Sequence, residues 1–138
     1  MDTRRYIKHI SKILNISQPK PRIVDNLDTE TKMAAIDPEK NVVYIKKGLM
    51  DYDKLFAIAH ELRHLWQYKN EPEMFNEYAN SENLSADNYN LQIAEIDANA
   101  FGKIVMLEMF GVKPLFDGLS DEVKQKIDER EQIIKSGR

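Results

Sequence analysis

The five residues His60-Glu61-Leu62-Arg63-His64 constrain this chain more than any other stretch, because they place two of its three histidines on one metal-binding spacing. On an α-helix, positions i and i+4 lie one above the other on one face, so both imidazoles can converge on a single ion. The glutamate between them is offset by about 100° from His60 and about 60° from His64 on a 3.6-residue turn. From there it reaches a water on the ion without ligating the ion. On a helix, H-E-x-x-H is a pattern of two ligands and a general base. The fold must therefore make this segment helical and bring a third ligand from another element.

The flanking residues supply the helix. Gly48 punctuates the chain, Asp51 reads as the N-cap, and Asp53 adds an acid to the first turn. Leu55, Ala59, Leu62 and Trp66 then recur at helical spacing, with Phe56, Ile58 and Leu65 widening the apolar arc. The motif thus lies in the middle of an amphipathic helix of about five turns. Asp53, Ala57, His60, His64 and Gln67 form the stripe expected to face a cleft. A solvated face that merely happens to read His-Glu-x-x-His would not carry this apolar pattern.

The third ligand is sought in Glu95-Ile96-Asp97-Ala98-Asn99-Ala100-Phe101-Gly102. This segment belongs to an apolar-periodic stretch from Asp87 to Phe110, read as one helix stopped by Gly111 and Pro114. Glu95 and Asp97 are two residues apart and project to nearly opposite sides, so only one of them can ligate. Glu95 shares a face with Leu91, Ala98, Asn99 and Gly102. The small residues there would let the helix approach the histidine helix closely, and Asn99 stands where it could hydrogen-bond a ligand imidazole. Glu95 is the favoured ligand. Asp97 is the alternative, its other role being to accept from an Arg or N–H group within the packed helix.

Composition narrows the site type. The chain has no cysteine, so neither a disulfide nor a thiolate ligand is possible. Structural zinc sites are usually closed by Cys, whereas a His/His/carboxylate set with an open position is the catalytic pattern, and the expected cofactor is Zn2+. The remaining imidazole, His9, lies in an N-terminal helical pattern and reads as a surface residue. A length of 138 residues suits one domain with a real core, and residues 1–138 are read as that domain. The net charge of −3, with signs interspersed, argues against a nucleic-acid partner. The basic start Met1-Asp2-Thr3-Arg4-Arg5-Tyr6 lacks an apolar segment after it. The most apolar window, 91–110, contains Glu95, Asp97, Lys103 and Glu108, so no membrane span is expected. The expectation is a soluble, cytoplasmic protein.

H-E-x-x-H followed by E-x-x-A-[D/N] on a later helix resembles the gluzincin branch of the zincin-like metallopeptidases. Ala98-Asn99-Ala100-Phe101 is similar to the small intracellular peptidases of the ImmA/IrrE type. The resemblance covers roughly residues 30–111 and rests on the two motifs. It implies zinc held by His60, His64 and Glu95, a water activated by Glu61 as general base, and Asn99 supporting the ligands. Gly102 stands where that family more often has Ala. The function implied is a zinc-dependent hydrolase that cleaves peptide bonds in a peptide or protein substrate. The alternative is a non-catalytic, zinc-stabilised interaction protein on the same fold; a third reading is a metal-dependent hydrolase of a non-peptide bond.

The fold class expected is α+β, a minimal zincin-like domain in which a small antiparallel sheet packs against two metal-bearing helices. Residues 3–16 read as an N-terminal helix, with residues 1–20 forming that helix and a Pro19/Pro21 linker. Arg22-Ile23-Val24 reads as a strand. Lys32–Ile36 and Val42–Ile45 read as a hairpin around Asp37-Pro38-Glu39-Lys40. The more β-branched Val42 arm should lie inside the sheet and the Lys32 arm outside, where the resemblance puts the rim that pairs with an extended substrate. Ala34 and Ala35 would leave room there for bulky substrate groups. Residues 70–86 read as an irregular excursion, and 119–135 as a charged helix introduced by Ser120. Tyr68, Tyr78 and Tyr89 are candidates to stabilise an oxyanion, and Arg63 reads as a salt-bridge partner.

Overall fold

The structure, a computed structural model, describes residues 2–80 and 84–137. Its elements are α1 (Thr3–Leu14), β1 (Lys20–Val24), β2 (Ala34–Asp37), β3 (Val42–Lys46), α2 (Asp51–Asn70), α3 (Pro72–Ala79), α4 (Ala86–Leu91), α5 (Ile93–Phe110) and α6 (Asp121–Lys135). This is the expected α+β class, with the His60 helix and the Glu95 helix side by side.

The sheet differs from the expected antiparallel one. Its order is β1-β3-β2; β2 and β3 form the expected antiparallel hairpin, but β1 runs parallel to β3. The physical reason is the nine-residue stretch between β1 and β2, which carries the chain across β3 to its far side before the hairpin begins. Apolar Val42, Val43 and Ile45 of β3 are buried, as a strand paired on both sides requires. Pro21 sits inside β1 rather than in a linker. An edge strand tolerates the missing N–H. In the hairpin turn the Asp37 carboxylate accepts from Lys40 N at 3.1 Å, and Asn41 takes the left-handed conformation that a short polar side chain tolerates (φ 54).

Helix ends follow local chemistry with three departures from expectation. α1 stops at Leu14 because Asn15 turns left-handed and its N–H returns to Lys12 O. α2 starts one residue early: Asp51 is its first helical residue rather than its cap, and Met50 at the N-cap position offers no side-chain hydrogen bond. The stretch from Asp87 to Phe110 is two helices, because Gln92 is extended (ψ 139) and its amide and side chain both donate to Tyr89 O. Gly111 ends α5 with positive φ, as the sequence predicts. Within the excursion expected to be irregular, Pro72 starts α3, its ring suited to the first helical position, and Ser85 caps α4; residues 81–83 lie outside the described residues.

The core lies on α2. Tyr6, Ile7, Ile10 and Leu14 of α1, Val43 and Ile45 of β3, and Phe101, Val105 and Met106 of α5 surround Leu55, Ile58, Ala59, Leu62 and Leu65. Tyr6 Oη donates to Leu55 O at 2.8 Å, tying α1 to α2. A smaller cluster of Ile96, Ala100, Val123 and Ile127 fixes α6 along α5, so this thinly apolar helix packs along one edge. The motif helix is therefore covered on most sides rather than along one stripe. Leu62→Ala, at a fully buried position inside the motif, should cost about 2–5 kcal/mol in urea unfolding. Ile133→Ala on the exposed side of α6 should stay within about 0.5 kcal/mol.

Candidate metal centre

α2 and α5 bring His60, His64 and Glu95 together, with one ligand-capable atom from each lying within 4.8 Å of the others. Glu95 Oε1 is 3.3 Å from His60 Nε2 and 2.9 Å from His64 Nε2. The break at Gln92 gives this convergence a local cause. Because α5 begins at Ile93, Glu95 falls in its first turn, where the helix dipole favours a carboxylate. Ala98 and Gly102 keep the facing surface low, so α5 can lie against α2.

The donor set fits a divalent ion. A tetrahedral zinc with bonds of about 2.0–2.1 Å would hold its ligand atoms roughly 3.3–3.5 Å apart, a separation within the observed spread. The tautomer of His64 is set for ligation. Gln67 Nε2 donates to Ala94 O and to Asp97 Oδ2, both at 2.9 Å, which turns Gln67 Oε1 toward His64 Nδ1 at 2.8 Å. An acceptor there keeps the proton on Nδ1 and leaves the Nε2 lone pair facing Glu95. His60 Nδ1, by contrast, is buried without a hydrogen-bond partner among the described residues. Asn99 is buried in the cleft and favours the charged imidazole of His60, yet leaves that nitrogen unsatisfied.

Asp97 is the keystone behind the donors. Its carboxylate is wholly buried and accepts from Arg63 Nε at 2.7 Å, Arg63 Nη2 at 3.0 Å, Gln67 Nε2 and Arg130 Nε at 2.8 Å. Asp97 thus takes the arginine-partner role, its carboxylate facing α2 through Arg63 and Gln67 and α6 through Arg130. Arg63 is the expected salt-bridge partner, its guanidinium 3.7 Å from the Trp66 ring centroid. Burial pushes the Asp97 pKa up, but Arg63, Gln67 and Arg130 together bring it below the ordinary carboxylate value.

The same logic separates the two glutamates. Burial raises both, yet the neighbouring His60 and His64 hold Glu95 far below the usual range. Glu61 stays raised, burial outweighing the attraction of His64 and His60. Burial alone would lower His60, but Glu95 first and Glu61 next raise it to about 9. Glu61 Oε2 stands 3.7 Å from His60 Nε2, beside the donors and outside their cluster.

These groups open on a cleft of about 590 Å³. Asp53, Ala57 and His60 of the expected stripe line it, joined by Glu61, whereas His64 and Gln67 are fully buried behind it. Tyr78 seals that side, its ring stacked on His64 at 4.4 Å between centroids. Its hydroxyl is 2.9 Å from that of Tyr89, and both tyrosines line the cleft. Burial and the charge of Glu95 raise both, Tyr89 to about 12. Tyr68 packs against Phe75 and is absent from the cleft lining. Thr31, Lys32, Met33 and Ala34 form the opposite rim, and β2 is the edge strand as expected. Sequence reasoning put Gln67 only on the cleft-facing stripe and gave no role to the Tyr78 stack or to Arg130. Only Gln67 carried a signal for its bond to His64, three residues after that candidate ligand on the same helix.

The chain belongs to the family described as "Putative metallopeptidase family (DUF6782)", which matches residues 2–122. No curated protein and no solved structure matches it. Family membership and the donor cluster agree on a hydrolase of the metallopeptidase class with residues able to hold a metal ion. α6 falls almost wholly beyond the matched residues, although its Arg130 completes the Asp97 cluster. Among the described residues no helix is long and apolar enough to cross a membrane. Gln67→Leu removes the acceptor at His64 Nδ1 and should weaken metal affinity about 10- to 100-fold in competition with a chelator. Tyr68→Phe should leave it unchanged.

Proposed function

We propose that the chain is a zinc-dependent peptidase of the HExxH, gluzincin-like type, similar to ImmA/IrrE-type enzymes, with His60, His64 and Glu95 as the zinc ligands. The observation that carries the reading is the convergence of these three donors at an open cleft, where His60 and Glu95 line the wall, His64 lies just behind it and Glu61 stands beside them. Bound zinc would polarise the scissile carbonyl and lower the pKa of a water. The chain's own residues do the rest. Glu61 accepts the proton from the attacking water and returns it to the leaving amine. The Tyr78–Tyr89 hydroxyl pair offers donors to the developing oxyanion. Asn99 supports the His60 side of the site. An extended peptide pairs by main-chain hydrogen bonds with the free edge of β2, whose start forms the rim opposite the donors. The substrate is a peptide or protein, and the protein works in the cytoplasm, apart from membranes and nucleic acids.

A non-catalytic zinc-stabilised protein would depend on the ion for its fold. The main core, from α1 through β3 to α5, is built without the donor side chains, which favours the enzyme. Stripping the metal with a chelator should therefore abolish hydrolysis while leaving the helical circular dichroism and a cooperative melt in place; loss of the fold would support the structural reading instead. Glu61→Gln should retain one zinc per chain and the melting temperature while lowering turnover by roughly 10²–10⁴-fold. Loss of zinc from that variant would make Glu61 a ligand and remove the basis for the mechanism.

A further inference from the structure

The cleft wall beyond His60 is apolar. Phe56 of α2, Met106 of α5 and, from the segment between α5 and α6, Val112, Pro114, Leu115 and Phe116 line it. Phe56 lies one helical turn before His60, and their ring centroids are 6.0 Å apart. Its other edge meets Phe116 in a T-shaped contact at 5.6 Å. Phe116 is held at φ 54, a left-handed conformation rare for a bulky residue, while its side chain packs on the Ile96–Ile127 cluster. Leu115 next to it is 67% exposed at the rim.

Phe56 can stand there because residue 102 has no side chain. A Cβ at Gly102 would come 2.7 Å from Phe56 Cε2 and 3.0 Å from Cδ2, closer than carbon atoms tolerate. The ring would have to move off α5 and into the cleft or against His60. Gly102 therefore sets how deep this wall is.

Resting on the peptidase reading, we propose that Phe56, Phe116 and Leu115 form a subsite that takes a large apolar side chain of the substrate residue bound beside the donor cluster, with Gly102 as the residue that fixes its depth. The occupant is a substrate side chain because the wall is continuous with the cleft holding His60 and Glu61. The residues named for this wall carry no charge of their own, although Asp53, one turn before Phe56, and Asp117, next to Phe116, also line the cleft. Against the apolar rings a polar side chain would lose its water without gaining a partner. The exposed Leu115 would be covered by the bound residue.

Two measurements test this on the full zinc-loaded chain. In the first, hydroxamic acids bearing methyl, isobutyl or benzyl groups are titrated calorimetrically, which needs no turnover. The isobutyl and benzyl compounds should bind roughly 10- to 100-fold tighter than the methyl one, the fold-change expected for burying such a group. In both Phe116→Ala and Gly102→Ala that gain should shrink severalfold, while methyl binding and zinc content stay put. In the second, a mixed peptide library is digested and the new termini are sequenced. Leu, Phe or Met should be enriched at one position flanking the cut, with the enrichment lost in Phe116→Ala. Equal affinities across the hydroxamates, or cleavage with no such enrichment, would overturn the subsite and leave the peptidase reading standing. Zinc-loaded protein that binds the series as expected but cuts no peptide would fail the peptidase reading while supporting the subsite.

Discussion

Everything at the centre hangs on a single buried carboxylate. Asp97 accepts from Arg63 and Gln67 on α2 and from Arg130 on α6, so one side chain of α5 fixes three helices against each other. Removing one partner of such a buried ion pair typically costs about 3–5 kcal/mol, because the other charge is left without solvent or partner. The arrangement also has a direction. By taking one proton of Gln67, Asp97 helps turn the Gln67 oxygen onto His64 and so fixes which imidazole nitrogen faces the donor cluster. A packing interaction between α5 and α2 thereby orients a candidate donor imidazole.

The donor cluster divides its charges by environment. Glu95, in the first turn of α5 and between two imidazoles, is held ionised, while Glu61, with no hydrogen-bonded partner of that kind among the described residues, has its pKa raised by burial. Two carboxylates only a few ångströms from the same histidine are thus shifted to opposite sides of the usual carboxylate range. Tyr78 closes the buried face of His64, so the cluster opens toward the cleft on the His60 side.

The residues that converge were readable because a helix fixes their angular relation before any tertiary contact exists. The spacing of His60 and His64, the opposed directions of Glu95 and Asp97, and the stop at Gly111 are all local facts. The inner position of β3 followed from Val42, Val43 and Ile45, since only a strand paired on both sides buries so many β-branched residues. What escaped was non-local or chemically unsigned. Gln92 interrupts an apolar period without Pro or Gly, so its extended conformation leaves no mark in the sequence. The parallel partner of β3 depends on where the chain between β1 and β2 crosses. Arg130 reaches Asp97 only because Val123 and Ile127 seat α6 on α5, and a charged helix surface gives no hint of which arginine turns inward. Gly102, a plain departure from the resembling pattern by sequence alone, acquires meaning only through the Phe56 ring lying against it.

The most direct measurement is anomalous scattering at the zinc edge from crystals of the zinc-loaded protein. One peak per chain is expected, bonded to His60 Nε2, His64 Nε2 and a Glu95 oxygen at about 2.0–2.2 Å, with Glu61 outside bonding distance. A peak ligated by Asp97 or Glu61, or no peak near α2 and α5 at full zinc loading, would contradict the site on which the proposed function rests.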